Sequence, residues 1–196
     1  MIKGTIDPGP VIRRVACLIS FVMITAVSPA FSDVDKGVNF VNAYEDAGVR
    51  MELKGTGLKR YFIFKAFIAG LYLGEGVAPH DVLGDVPKRL EVAYLAPVPA
   101  RQLCQETRRR IARNISKAEW NALKEKIDIM DSYFVDIRPG DRYALTYVPG
   151  AGTKFEYNGR LVGSILGADF SSALFSVWFG PFPLEAALKS KLLGLK

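Results

Sequence analysis

Histidine and cysteine, which serve as metal ligands and nucleophiles, are scarce in this 196-residue chain, with one histidine and two cysteines. His80 is the only histidine, and it lies in a Pro-His-Asp stretch without a second ligand type at metal-binding spacing. Cys104 lies on the apolar side of a predicted helix with no histidine near it in sequence, so we expect a small buried hydrophobe. The sequence therefore predicts neither a metal site nor a thiol catalyst.

Two further motifs could bind anions. The Gly150-Ala151-Gly152-Thr153-Lys154 segment resembles part of a phosphate-binding loop, but two strands follow it instead of a helix, so we predict a hairpin loop. The Arg108-Arg109-Arg110 run is interpreted as a solvated helix face. No catalytic constellation and no cofactor motif is found, so we predict no cofactor and assign no catalytic residue.

The N-terminus has the features of a secretory signal over residues 1–32. Lys3, Arg13 and Arg14 precede an apolar run at 15–27, and small residues at Ala30 and Ser32 predict cleavage before Asp33. The apolar run is shorter than the ~20 residues of a membrane-spanning helix, which disfavours a membrane anchor. Cys17 lies at the start of this run and not after it, which disfavours a lipoprotein.

Cleavage would leave one domain, residues 33–196, with little excess charge. Removing three basic residues and one acid lowers the formal net charge from +6 to +4, which is too small an excess to favour nucleic acid as a partner. Cys17 is lost with the signal, so Cys104 would have no partner for an intramolecular disulfide. We expect no membrane span after cleavage, and the oligomeric state stays open.

Hydrophobic periodicity predicts strands, then two helices, then a β-meander, then two more helices. One long strand covered on both sides is predicted over 59–73, with Gly70 marking a bulge or a close approach. Asn158-Gly159 predicts a type I′ hairpin. Other predicted strands lie at 49–53, 90–95, 143–147, 153–157 and 160–165.

Four helices are predicted from apolar stripes and capping residues. The first spans 100–115, and Ser116 with Glu119 forms a capping-box pattern that opens the second. Asp169 is the predicted N-cap of a third helix that ends at Gly180-Pro181, and Pro183 opens a fourth that stops at Gly194. This order predicts an α+β fold, with an antiparallel sheet packed on one side by helices.

Three groups of segments resemble signatures of the chalcone isomerase-like family, in particular its exported bacterial branch. They occur in the expected order across nearly all of the mature chain, and the resemblance implies an open-faced β-sandwich with a large antiparallel sheet backed by helices. The segments are Gly55–Arg60 with Phe64–Leu73, then Pro139–Asp141 with Leu145–Tyr147, Gly152-Thr153 and Asn158-Gly159, and finally Asp169-Phe170 through Trp178-Phe179-Gly180, with Leu192–Gly194.

The resemblance implies two kinds of function, and it places the residues that matter for each. Enzymes of this family cyclise chalcones with an arginine and a network of threonine, tyrosine and asparagine, whereas non-catalytic members bind fatty acids through the arginine and a tyrosine. The family arginine falls at Lys59, next to Arg60, and the strand threonine or tyrosine falls at Phe67. The remaining polar positions fall at Leu103, Arg110 and, near the end, Val177.

Because most polar positions are apolar here, the resemblance favours a non-catalytic protein that binds an apolar carboxylate such as a fatty acid. Lys59, Arg60 or Arg110 would supply a cation at one end of the cleft. Export places this domain outside the cytoplasm, in a bacterial periplasm. Two alternatives stay open: an intramolecular lyase with an altered site, and an envelope interaction protein whose cleft is filled by its own side chains.

Overall fold

In the described part of the chain, seven antiparallel strands lie side by side in chain order, so each strand is hydrogen-bonded to the strand that follows it in the sequence. The computed structural model describes residue 1 and residues 38–195; the predicted signal and its cleavage point lie outside the described residues. The strands are β1 Ala43–Asp46, β2 Val49–Tyr61, β3 Phe64–Gly74, β4 Lys88–Tyr94, β5 Arg142–Val148, β6 Gly152–Tyr157 and β7 Arg160–Ile165.

Four helices pack on one face of the curled sheet, as the sequence predicts. They are α1 Ala100–Asn114, α2 Lys117–Asp131, α3 Ala168–Phe179 and α4 Ala186–Leu192. The α3 helix is the central one, because most of its residues are buried between the sheet and α1. In the described part of the chain, no helix is long and apolar enough to cross a membrane.

The single long strand predicted over 59–73 is wrong, because β2 and β3 are two strands of a hairpin. A two-residue turn at Phe62 and Ile63 joins them, and Tyr61 pairs with Phe64 across it. Phe62 has a φ of +53°, a conformation that turns normally assign to glycine or asparagine. A turn without glycine, proline or asparagine gives no sequence signal, so the two apolar strands merge into one pattern.

Both faces of β3 are covered from Ala66 onward, as predicted, whereas its first residue, Phe64, is exposed. Gly70 marks a close approach and no bulge, since a Cβ there would lie 2.8 Å from the ring of Phe40. Next to it, Tyr72 is completely buried on the same face. The opposite face of β3 carries Leu71 and Leu73 into the apolar core beneath the helices.

Local signals at the ends of helices and hairpins are confirmed where capping chemistry determines the structure. The hydroxyl of Ser116 accepts a hydrogen bond from the Glu119 amide, and the Glu119 carboxylate accepts one from the Ser116 amide. Asn158 and Gly159 both have positive φ, at +49° and +76°, as a type I′ turn requires.

Two predicted helix starts are wrong by a few residues. Gly167, and not Asp169, is the N-cap of α3, and its φ of +113° favours glycine there. Asp169 lies inside the first turn, where its carboxylate contacts Lys126. Pro183 lies in the loop before α4, whose N-cap is Glu185.

Candidate functional site

An apolar cavity of about 120 Å³ lies between the sheet and helices α1 and α3. Its wall consists mainly of aromatic and aliphatic side chains, with a few polar groups from α1. The lining residues are Ala66, Phe67, Tyr94, Val98, Gln102, Leu103, Glu106, Thr107, Phe134, Leu145, Val177, Trp178 and Leu184.

A bulge in β3 directs two consecutive residues toward this cavity. Lys59 pairs with Phe67 across the β2–β3 ladder, but Arg60 pairs with Lys65, so Ala66 is an extra residue in β3. Both Ala66 and Phe67 consequently line the cavity. On the next strand, Tyr94 pairs with Phe67, and the centroids of their rings are 5.9 Å apart.

Three of the residues carried over from the family resemblance lie together in the wall. Phe67 comes from β3, Leu103 from α1 and Val177 from α3, and all three line the same cavity. Each is apolar at a position where the resemblance implies a polar group in the enzymes. The wall at these positions therefore offers no hydroxyl or amide for polarising a bound substrate.

Two of the predicted cations lie beside the cavity, and both contact the segment 183–185 before α4. The Nζ of Lys59 donates to Glu185 Oε2 at 2.5 Å. Arg110 donates to the carbonyl oxygen of Pro183 at 2.7 Å and to Glu106 Oε1 at 2.7 Å. Leu184, which lies between these two contacts in the chain, lines the cavity.

Arg60 is not brought to the cavity. Side chains alternate along a strand, and Lys59 faces the helices, so Arg60 projects from the other face of β2 and is exposed. Of the two neighbouring cations, only Lys59 lies on the side where the cavity is.

Sequence reasoning missed the polar groups that the wall does contain. The indole nitrogen of Trp178 is buried and has no hydrogen-bond partner among the described residues. Four further lining residues have polar side chains: Tyr94, Gln102, Glu106 and Thr107. An apolar stripe on α3 includes Trp178, but nothing in the sequence indicates that its N–H is left unpaired.

The carboxylate of Glu106, which lines the cavity, forms ion pairs with two neighbouring arginines. Burial acts to raise the pKa of Glu106, but hydrogen bonds from Arg110 and Arg109 outweigh this effect and hold its pKa below the usual range. Glu106 is therefore ionised at neutral pH. Two guanidinium groups share this one carboxylate, so the cluster keeps an excess positive charge next to the cavity.

His80 and Cys104, the two other residues considered for chemistry, are not among the residues that line the cavity. His80 is exposed, and its Nε2 lies 3.6 Å from the carboxylate of Asp81. Cys104 donates a weak hydrogen bond to the Asp131 carbonyl, and burial followed by the nearby Asp131 charge raises the pKa of the thiol. Within residues 38–195, no group of three or more histidine, cysteine or acidic side chains could hold a metal ion.

The two anion-binding motifs also have structural explanations. The Gly150–Lys154 segment forms the β5–β6 hairpin, as predicted, and Lys154 pairs with Asp46 at 2.7 Å. The arginine run is more than a solvated face, which corrects the prediction. Arg108 bridges α1 to α2 by contacts with Asp128 and Asp131, each at 2.5 Å.

A curled antiparallel sheet with helices on one face and an apolar cavity between them defines the architecture of the chalcone isomerase-like fold. Residues 33–194 match the model of the chalcone isomerase-like family, and the chain belongs to this family.

Among solved structures, the fold is similar to that of the fatty-acid binding protein AtFAP1 of Arabidopsis thaliana. The TM-score is 0.63 with 14% sequence identity, and the match covers 82% of this chain and 93% of that one. At this level of identity the likeness concerns the fold alone. A search of curated proteins finds no significant match.

Proposed function

We propose that this chain is a non-catalytic member of the family that binds an apolar carboxylate, such as a fatty acid, in the cavity between the sheet and the helices. The observation that carries this proposal is the cavity wall. Phe67, Leu103 and Val177 make it apolar at the positions where the enzymes of the family are expected to carry polar groups. The structural similarity to a plant fatty-acid binding protein supports the same function.

The carboxylate end of the ligand is expected near the segment 183–185. Lys59 and Arg110 lie there, and each already contacts an acid, Glu185 or Glu106. A ligand carboxylate would compete with Glu185 for the ammonium group, which makes binding an exchange of one ion pair for another. Trp178 also lines the cavity, and its buried N–H has no partner among the described residues, so we expect it to act as a second donor once a ligand is bound.

The size of the cavity constrains how a long chain could enter. At about 120 Å³, the cavity is smaller than the ~300–1,000 Å³ that is usual for sites of drug-sized ligands. Leu184 belongs to the short loop before α4 and is held there by a hydrogen bond from its amide to the Val177 carbonyl at 2.7 Å. Because loops move more easily than helices and strands, we expect this loop to yield when a longer ligand enters. A long acyl chain would enlarge the cavity by moving this loop outward.

The test is identification of lipids that copurify with the protein, followed by titration with dodecanoate. We expect acyl carboxylates in the native mass spectrum and saturable binding that weakens in the Lys59→Met variant. Phe67→Trp fills the cavity without changing a charge, and it should abolish binding of the acyl chain. Reproducible absence of bound lipid together with no binding of added fatty acid would disprove the proposal.

The same preparation separates binding from catalysis. If the chain were a lyase with an altered site, the wild type would convert a chalcone faster than a variant in which Lys59 and Arg60 are both alanine. We expect equal rates, at the level of the uncatalysed reaction. A faster wild-type rate would reinstate the enzyme reading.

Export to the periplasm is a separate part of the proposal and rests on the sequence of residues 1–32. We expect mature protein in the periplasmic fraction of a bacterial host, with a mass that begins at Asp33. Intact full-length protein in the cytoplasmic fraction would contradict export and leave the ligand proposal standing.

A further inference from the structure

The turn between β2 and β3 exposes three consecutive large apolar side chains. Phe62 is 99% exposed, Ile63 is 77% exposed and Phe64 is 60% exposed. We call these three residues the β2–β3 tip. They lie at the free end of a hairpin, and contacts with the core do not explain their apolar character.

The backbone conformation of the turn makes a phenylalanine at position 62 unexpected. Phe62 adopts a positive φ, which costs a residue with a large side chain more than glycine or asparagine. The same sheet uses Asn158 and Gly159 in the β6–β7 turn, where that preference is followed. At the β2–β3 tip, an aromatic residue occupies a strained and solvated position, so neither folding nor solubility accounts for it.

The charged residues that lie close to the tip in the sequence are all basic. Between Leu58 and Ala69 the chain carries Lys59, Arg60 and Lys65 and no acidic residue. Arg60 is exposed, whereas Lys59 contacts Glu185 on the inner side of the sheet. Aromatic and aliphatic side chains beside basic residues are the combination that inserts into the headgroup region of an anionic bilayer.

The tip is also continuous with the cavity. Phe64 is two residues before Ala66, and Ala66 and Phe67 line the cavity wall. A hairpin seated in a membrane surface would thus bring the β3 side of the cavity close to the acyl chains.

We propose that the β2–β3 tip docks this protein on the surface of an anionic lipid bilayer, with Phe62, Ile63 and Phe64 inserted among the headgroups and the exposed Arg60 facing anionic phosphates. If the proposed ligand function also holds, the docked state is the one in which an acyl carboxylate passes between bilayer and cavity. Docking itself does not require an occupied cavity.

The test is sedimentation with vesicles of phosphatidylcholine and phosphatidylglycerol in equal parts, using wild type and variants purified in the same processed form. Phe62→Gly with Ile63→Ser removes two exposed apolar groups and supplies a favourable turn sequence, so the variant should fold at least as well. We expect its vesicle affinity to fall about tenfold or more, because one buried phenylalanine accounts for that much. Wild-type binding should also weaken with salt and on vesicles of phosphatidylcholine alone.

Leu166→Ser is the matched control, since Leu166 is an exposed apolar residue that follows β7 at the opposite end of the sheet. It should bind vesicles like the wild type. The proposal is overturned if the wild type does not bind anionic vesicles, if the tip variant binds as well as the wild type, or if the tip instead captures a protein and no lipid. Dodecanoate titration of the tip variant separates the two proposals, because its cavity is unchanged.

Discussion

The ammonium group of Lys59 contacts the carboxylate of Glu185 at 2.5 Å, although the two residues are 126 positions apart in the sequence. Lys59 is the residue that the family resemblance places at the arginine position, and Glu185 is the N-cap of α4. The cation beside the cavity is thus held by an internal carboxylate. If Lys59 binds the ligand carboxylate as proposed, the ligand replaces this contact, so the strength of the internal pair limits the affinity for the ligand.

Glu185→Gln tests this competition. The substitution keeps the size of the side chain and removes the charge that competes for Lys59, so dodecanoate affinity should rise roughly two- to fivefold, the value of a partly exposed ion pair. Isothermal titration calorimetry measures the change. The same substitution in a Lys59→Met background is the control and should give no gain; an equal gain there would show that Glu185 acts on something other than Lys59.

The sequence could not predict this pair, because it depends on how α4 docks on β2. Among signals that act within a few residues of the chain, the capping box at Ser116 and Glu119 and the hairpin at Asn158-Gly159 formed as predicted, whereas the helix starts predicted at Asp169 and Pro183 were wrong by a few residues. The turn at Phe62-Ile63 was missed because its positive φ is carried by a phenylalanine, which no local rule favours.

At the candidate site, the family resemblance pointed to three of the apolar residues of the wall, whereas the positions of the charged groups became known only from the structure. Phe67, Leu103 and Val177 were brought together, whereas Arg60 was separated from Lys59 by the alternation of side chains along β2. The unpaired N–H of Trp178 could not be predicted, since an unsatisfied donor is a property of the packed surroundings.

Trp178→Phe should affect ligand binding and stability differently. The substitution removes a buried N–H that has no partner among the described residues, and such a group costs ~1–3 kcal/mol of folding free energy. Lost packing offsets this gain, so the free energy of unfolding measured in urea should change by less than about 1 kcal/mol.

If the N–H donates to the ligand, dodecanoate affinity should nevertheless fall roughly threefold to tenfold in the same variant. If the variant loses free energy of unfolding and dodecanoate affinity to a similar extent, Trp178 has a packing role only. Trp120→Phe, on the partly buried side of α2, is the control for loss of an indole and should leave binding unchanged.

The contact of α4 with β2 depends on Gly55. A Cβ at this position would lie 2.1 Å from the backbone oxygen of Lys191, which has no freedom to move without the helix. Gly55→Ala should therefore destabilise the fold by about 1–3 kcal/mol and displace α4, with Glu185 following it.

Gly57→Ala is the comparison, because its Cβ would meet the end of the Leu188 side chain at 2.5 Å, and a side chain can change rotamer. We expect the Gly57 variant to lose less stability in urea denaturation than the Gly55 variant. The reverse order would mean that α4 is not held against β2 in the described arrangement. A loss of dodecanoate binding confined to Gly55→Ala would connect the position of α4 to the site.

Lys88 is completely buried beneath α3, where its Nζ donates to the Gly84 carbonyl at 2.7 Å and lies 4.8 Å from the centroid of the Tyr147 ring. Burial lowers the pKa of Lys88 from 10.5 to about 8, against the opposing influence of Asp85. Below pH 8 the folded state carries a buried charge. Between pH 8 and 10.5 the folded protein releases a proton that the unfolded chain still holds, so the contribution of this lysine to stability rises with pH across that window.

Lys88→Met should accordingly be more stable than the wild type at pH 7, by at most about 3 kcal/mol and by less once the lost hydrogen bond and ring contacts are counted. The difference should shrink as the pH rises from 8 toward 10.5, as measured by urea denaturation at each pH. Lys124→Met on the exposed surface of α2 controls for loss of a lysine. A stability difference that stays constant from pH 7 to pH 10 would mean that Lys88 remains charged in the core, held by the Gly84 carbonyl and the aromatic rings more strongly than burial opposes it.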